Sequence, residues 1–182
     1  MRRLILFRHG KAETAGPSGG DRERPLAERG CADSAVTAQW LSETGFVPDL
    51  VLVSPAARTR ETWDAAQAWF PAARAEPRER LYLAAPETIR DVVDEASDDA
   101  DTVMVVGHNP GLQELGVELV AGGGAPRVQA HHMEDGFPTA AAWVFRMGKD
   151  EEPSLEAVYE PPRRAGDGPR WQYLDHVRGG RA

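Results

Sequence analysis

Two imidazoles and two guanidiniums stand out in this chain, because each lies just beyond an apolar run, where glycine or proline takes over. Leu4-Ile5-Leu6-Phe7 leads into Arg8-His9-Gly10. Leu50-Val51-Leu52-Val53 leads into Ser54-Pro55, with Arg58 one helical turn further on. Residues 102–106 lead into Gly107-His108-Asn109-Pro110. Short apolar runs bounded by turn signals read as buried strands. In open α/β sheets, ligands bind in the crevice outside the carboxyl ends of the strands. All three junctions are therefore expected at one crevice. Ser54 and Asn109 are residue types favoured at helix N-caps, and Pro55 and Pro110 are favoured at the first helical position. Each of these two junctions is expected to open a helix whose free N–H groups accept an anion. With Arg8, His9, Arg58 and His108 in the same crevice, the natural guest is phosphate.

Helices at 31–43, 55–70, 86–96 and 110–120 would alternate with strands at 4–7, 50–53, 75–83 and 102–106 to position those residues. Ala35, Ala38, Trp40 and Leu41 form the inner face of the first helix. Two further strand-like runs follow at 140–147 and 155–159. Alternating strands and helices predict a three-layer αβα sandwich around a mainly parallel open sheet of about six strands. The last two runs are joined by only a short polar link, so at least one of them should be antiparallel. The whole chain, 1–182, reads as one domain with a loop-rich tail from about residue 160. Trp40, Trp63 and Trp69 lie on the expected helices as core or interface residues, with core the preferred reading. The segment 171–174 either packs back on the sheet or ends free.

Composition sets the outer limits. With 41% hydrophobic and 27% charged residues in a chain of 182, a real core and a globular domain are expected. The formal net charge of −8 argues against a nucleic-acid partner, and it means an anionic substrate must be drawn in by a local basic site. Cys31 is the lone cysteine, so there is no intramolecular disulfide; it lacks an Arg-rich phosphate-binding loop and is assigned to packing. No apolar run reaches membrane-spanning length, and the stretch at 4–7 is too short for a signal peptide, so a cytoplasmic protein without a membrane partner is expected. The five histidines show no metal-ligand spacing; the adjacent His131 and His132 read as a loop pair. No metal and no cofactor is called for.

The stretch Leu4-Ile5-Leu6-Phe7-Arg8-His9-Gly10-Lys11-Ala12 resembles the signature of the histidine phosphatase superfamily, the phosphoglycerate mutase-like fold. Ser54-Pro55-Ala56-Ala57-Arg58 with Thr62 is similar to its second motif, and residues 106–112 are similar to its third. The form of that third motif, with Arg24-Pro25-Leu26 early in the chain, resembles the small phosphohistidine phosphatase (SixA) branch. The resemblance runs from residue 3 to about 145 with the motifs in order.

The resemblance implies that His9 is a nucleophile that forms a phosphohistidine, which water then hydrolyses. Arg8, Arg58 and His108 are the matching clamp for the phosphoryl oxygens, and the guanidinium fork suits phosphate geometry. The second ring nitrogen of His9 should donate to the backbone carbonyl at the position of Gly10. Nearby cations should keep His9 neutral near pH 7. Arg24, in the Gly- and Pro-rich arm 12–25, is either a further phosphate contact or a solvated charge. Asn109 is grouped with the substrate contacts, and Lys11 is placed at the rim. The general acid has no clear bearer. Asn109 stands where acid phosphatases of the superfamily place Asp, and Leu81-Tyr82-Leu83-Ala84 stands where the mutases place Glu. Asp21, Glu79 and Glu87 remain candidates. A missing acid agrees with phosphohistidine in a protein as substrate. A small phosphorylated metabolite, such as a sugar phosphate or nucleotide, is the alternative. A phosphate-binding module without turnover is the third reading, disfavoured because such a module needs no nucleophile.

Overall fold

The computed structural model describes residues 1–96, 100–122, 136–148, 152–162 and 167–173. Eleven strands and α-helices follow one another among these: β1 (Arg3–Arg8), α1 (Glu28–Glu43), β2 (Leu50–Val53), α2 (Ala57–Ala66), β3 (Arg74–Pro77), α3 (Pro86–Ala96), β4 (Thr102–Gly107), α4 (Gly111–Gly122), β5 (Ala142–Arg146), β6 (Ser154–Glu160) and β7 (Arg170–Tyr173). The strands form one sheet in the order β3-β2-β4-β1-β5-β6-β7. The pairs among β3, β2, β4 and β1 are parallel. The pairs β1–β5, β5–β6 and β6–β7 are antiparallel. The sheet thus has seven strands where about six were expected; the additional one, β7, carries Trp171.

Strand side chains alternate between the two faces, and both faces are covered by helices. Leu4, Leu6, Leu50, Leu52, Val103 and Val105 join one core with residues of α3 and α4. Ile5, Phe7, Val51, Val53, Met104 and Val106 join the other with Ala38 and Leu41 of α1 and Trp63 and Ala66 of α2. In α3 the buried residues Ile89, Val92, Val93 and Ala96 fall at the spacing of one helical face. The inner face of α1 is smaller and more polar than expected: Ser34 and Thr37 are buried with Ala38 and Leu41, whereas Ala35 and Trp40 are only partly covered. Thr37 Oγ1 donates to the carbonyl of Ala140 at 2.7 Å, which ties α1 to the chain entering β5.

Several local expectations are corrected. The helices α2 and α4 begin at Ala57 and Gly111, so Ser54 and Asn109 are not their N-caps. Ala56 occupies the cap position of α2 and makes no side-chain cap bond. Instead, Ser54 Oγ pairs with His108 Nε2, and Asn109 Nδ2 donates to the Phe137 carbonyl. The strand predicted at 75–83 ends at Pro77, on the sheet edge where a residue without N–H is tolerated, and residues Glu79–Leu81 form a 3-10 turn. Trp63 is buried, but Trp69 is 36% exposed, and Cys31 lies on the exposed face of α1 rather than in the core. His131 and His132 lie outside the described residues.

One close backbone approach fixes the chain just beyond β1. A Cβ on Gly30, in the first turn of α1, would lie 2.1 Å from the carbonyl oxygen of Lys11. A Cβ on Gly10 would lie 2.4 Å from the carbonyl oxygen of Gly30. The amide of Ala27 donates to the Lys11 carbonyl at 2.8 Å, which closes the contact. Gly30→Ala should therefore lower stability by about 1–3 kcal/mol through overpacking against backbone. Urea denaturation measures this; an unchanged midpoint would show that the approach has slack.

Candidate active site

The register of the central strands pairs Arg8 with Gly107, so the residues that follow, His9 and His108, emerge side by side. Their ring centroids are 5.2 Å apart. His9 Nδ1 lies 2.7 Å from the carbonyl oxygen of Gly10. A carbonyl can only accept, so Nδ1 carries the proton and Nε2 keeps a bare lone pair. The amide of Gly10 donates to Thr62 Oγ1 at 3.0 Å, and Thr62 Oγ1 donates to the carbonyl of Arg58 at 2.7 Å. One threonine on α2 thus joins the His9 turn to the helix turn that carries Arg58.

His108 is held by Ser54, whose Oγ lies 2.7 Å from Nε2. The Nδ1 of His108 is buried and has no partner among the described residues. A hydroxyl can donate or accept, so the Ser54 bond fixes the orientation of the ring, and the direction of that bond sets its tautomer. Tyr82 packs edge-on to the His108 ring at 5.7 Å.

The guanidiniums are also positioned in advance. Arg58 is only 3% exposed, and its two amino groups donate to the Asp21 carbonyl at 2.7 Å and to Asp21 Oδ2 at 3.0 Å. Arg8 donates to the carbonyl of Phe137, and its Nε is buried without a partner among the described residues. Asp21 also accepts from Arg24 at 2.9 Å and from the Tyr82 hydroxyl at 2.8 Å. The arm 12–25 is held at its base by an antiparallel bridge between Ala12 and Leu26. Near its tip, Arg22 forms a two-pronged ion pair with Glu79 at 2.8 and 2.6 Å.

Burial and charge act on the two imidazoles in the same direction. Burial is the largest influence on His9; its bond to Gly10 opposes this, and Arg58, Arg8 and Arg24 add to it, leaving a pKa of about 4. The expected effect of nearby cations is present but ranks behind desolvation. His108 falls to about 3, through burial first and then the charges of His9 and Arg58. Asp21 is held down to about 2 by its hydrogen bonds from Arg24 and Tyr82, with Arg58 adding to them, so it is ionised throughout the neutral range.

Arg8, His9, Arg24, Arg58, His108 and Asn109 all line one cleft of about 350 Å³. Lys11, Asp21, Leu83 and Thr139 complete most of its wall, with Lys11 exposed at the rim. Gly10 is not among the residues lining the cleft; its carbonyl holds His9. Glu79 is exposed and paired with Arg22; Glu87 is exposed in the first turn of α3, and neither lines the cleft. Asn109 Nδ2 donates to Gln113 at 3.0 Å and to the Phe137 carbonyl at 3.2 Å. Ser54, Tyr82 and Thr139 escape the sequence reading. Ser54 looks like a cap, and Tyr82 draws notice only as part of a stretch lacking Glu. Among the described residues no group of three or more His, Cys, Asp or Glu could hold a metal ion, and no helix is long and apolar enough to cross a membrane.

A bare imidazole nitrogen beside two guanidiniums and a second imidazole is equipped to take and hold a phosphoryl group, the chemistry that histidine phosphatases use. The family model of the histidine phosphatase superfamily (branch 1) matches residues 4–82, which hold Arg8, His9 and Arg58. The chain is 35% identical over 151 residues to the uncharacterized protein Rv1276c of Mycobacterium tuberculosis, covering 81% of this chain and 94% of that one. It is similar in structure to the candidate phosphohistidine phosphatase SixA of Agrobacterium tumefaciens, at 28% identity and a TM-score of 0.73 over 96% of both chains. A second SixA structure of that description, from Nakamurella multipartitia, shares 30% identity at a TM-score of 0.74, covering 86% of this chain and 94% of that one. The chain belongs to the histidine phosphatase superfamily and is SixA-like.

Both cleft histidines should stay neutral well below the usual histidine range. Each has a folded pKa below its unfolded value, so the folded state binds fewer protons; stability is full above about pH 6.5 and declines as pH falls toward 4. NMR titration of the His9 and His108 rings should show no protonation between pH 8 and about 5. A midpoint near 6.5 for either ring would contradict this electrostatic account.

Proposed function

We propose that the protein is a phosphohistidine phosphatase that uses His9 Nε2 as a covalent phosphoryl acceptor. Nε2 attacks phosphorus as the bond from phosphorus to the substrate's leaving atom breaks, which gives a phosphohistidine on the enzyme. Water then attacks that phosphorus, the N–P bond breaks, and inorganic phosphate leaves with neutral His9 restored. Arg8 and Arg58 take the equatorial oxygens, and His108, with the Ser54 hydroxyl donating to its Nε2, donates from Nδ1. Arg24 and Asn109 lie along the cleft wall where they can contact the substrate. Such preset donors stabilise charge in the transition state without reorganising during the reaction.

The carboxylate in the cleft carries the choice of substrate. Asp21 is ionised and already engaged with Arg58, Arg24 and Tyr82, so it has no proton to give an alkoxide. A phosphorylated imidazole needs no such acid, because its second ring nitrogen can bring the proton with it. The two SixA structures of similar fold, described as candidate phosphohistidine phosphatases, agree with this reading. The exposed residues Lys11, Asp21 and Leu83 at the cleft mouth leave room for a side chain presented on a protein.

The test compares kcat/KM on a phosphohistidine-bearing protein with that on a panel of sugar phosphates and nucleotides, in the presence of a metal chelator. Phosphohistidine should be preferred, Arg58→Ala should lower kcat by about 10²-fold or more, and His9→Ala should be inactive. A metabolite preferred by several orders of magnitude would replace the protein substrate with a small one.

A further inference from the structure

Leu83 is the outlier in a cleft otherwise walled mainly by polar and charged groups. It lines the same cavity as His9, Arg58 and His108, yet it is 53% exposed. Its backbone sits at φ 49°, in the left-handed region that glycine enters freely and a branched side chain resists. Its neighbours show how this conformation is maintained. Leu81 is buried in the core beneath α3. The Tyr82 hydroxyl is bonded to Asp21, and its ring meets His108 edge-on. The Ala84 carbonyl presses on α4 so closely that a Cβ on Gly111 would lie 1.9 Å from its oxygen. Residues on both sides are anchored, and position 83 is left turned outward with an apolar side chain. Glycine would satisfy that backbone better, and packing gains little from a side chain so exposed. Strain of this kind collects where a site uses it. A group that enters the cleft beside Leu83 would bury its exposed apolar surface.

The geometry points to Leu83 as a specificity residue that packs against the carbon framework of the leaving group, while Arg8, His9, Arg58 and His108 hold the phosphoryl group. The framework assigned to it is a flat aromatic or heteroaromatic ring bonded to phosphorus through nitrogen or oxygen, the class to which the phosphorylated imidazole of the proposed substrate belongs, and a cleft of about 350 Å³ accommodates such a ring. This inference rests on the reading that the His9 cleft carries out the chemistry.

The experiment uses the full chain as wild type, Leu83→Ala and Leu83→Gly, with two small substrates. One is an aryl phosphate, which carries a ring; the other is phosphoramidate, which carries no carbon. On the aryl phosphate, kcat/KM should fall about tenfold in both variants, mostly through KM, and on phosphoramidate it should stay within about twofold. The melting temperature of Leu83→Gly should be no lower than that of the wild type, because glycine relieves the backbone. Equal losses on both substrates, or no loss on either, would overturn the assignment. So would a clear drop in the Leu83→Gly melting temperature, which would make Leu83 a structural residue. Failure of the covalent reading appears separately, as turnover of either substrate by His9→Ala, and would not produce a loss confined to the ring-bearing substrate.

Discussion

The hydrogen bond from His9 Nδ1 to the Gly10 carbonyl decides which nitrogen of the imidazole is free, and the rest of the cleft is arranged around that nitrogen. The bond needs the Gly10 peptide in one orientation. Three contacts supply it: Thr62 on the Gly10 amide, the Gly30 backbone against Gly10, and the Lys11 carbonyl against α1. A side chain at position 10 or 30 would push these segments apart. The parallel register of β1 and β4 then sets His108 next to His9. The sheet therefore supplies proximity, and the glycine contacts supply the orientation of the ring.

Electrostatics completes the arrangement. An acidic chain of net charge −8 concentrates three arginines at one cleft, where they would repel each other without a counter-charge. Asp21 is that counter-charge. It accepts from Arg58 and Arg24, and its lowered pKa keeps it charged over the working pH range. The two guanidiniums are thus oriented before any phosphate arrives. The solvent-screened pair with Arg24 contributes little to stability, typically about 0–1 kcal/mol, and the pair with buried Arg58 chiefly compensates the burial of that charge, so positioning is the larger effect of Asp21.

The residues to which the proposal gives the chemistry were legible from sequence as neighbours because they follow strand ends, and strands are strongly marked by their apolar runs. Arg8, His9, Arg58 and His108 meet as that logic requires. The helix starts were less legible. Ser54-Pro and Asn109-Pro carry the local signature of a cap, but each side chain has a partner from another part of the chain, and a local rule cannot see that competition. Asp21 was readable as a carboxylate near the site but not as a clamp, because its partners Arg58 and Tyr82 lie 37 and 61 residues away. Gly30 carries no sequence signal at all, since its role is defined only by the backbone that crosses it. The seventh strand lies in a tail whose composition reads as loop, and it forms by pairing with β6.

The most direct test of the covalent acceptor is to trap it. The enzyme is mixed with a phosphohistidine protein, quenched within milliseconds into alkali, in which a phosphoramidate survives, and digested for mass spectrometry and NMR of the labelled peptide. The account predicts one phosphoryl group on His9, attached at Nε2, because Nδ1 is committed to the Gly10 carbonyl. Label on another residue, attachment at Nδ1, or turnover with no labelled peptide at any time point would contradict it.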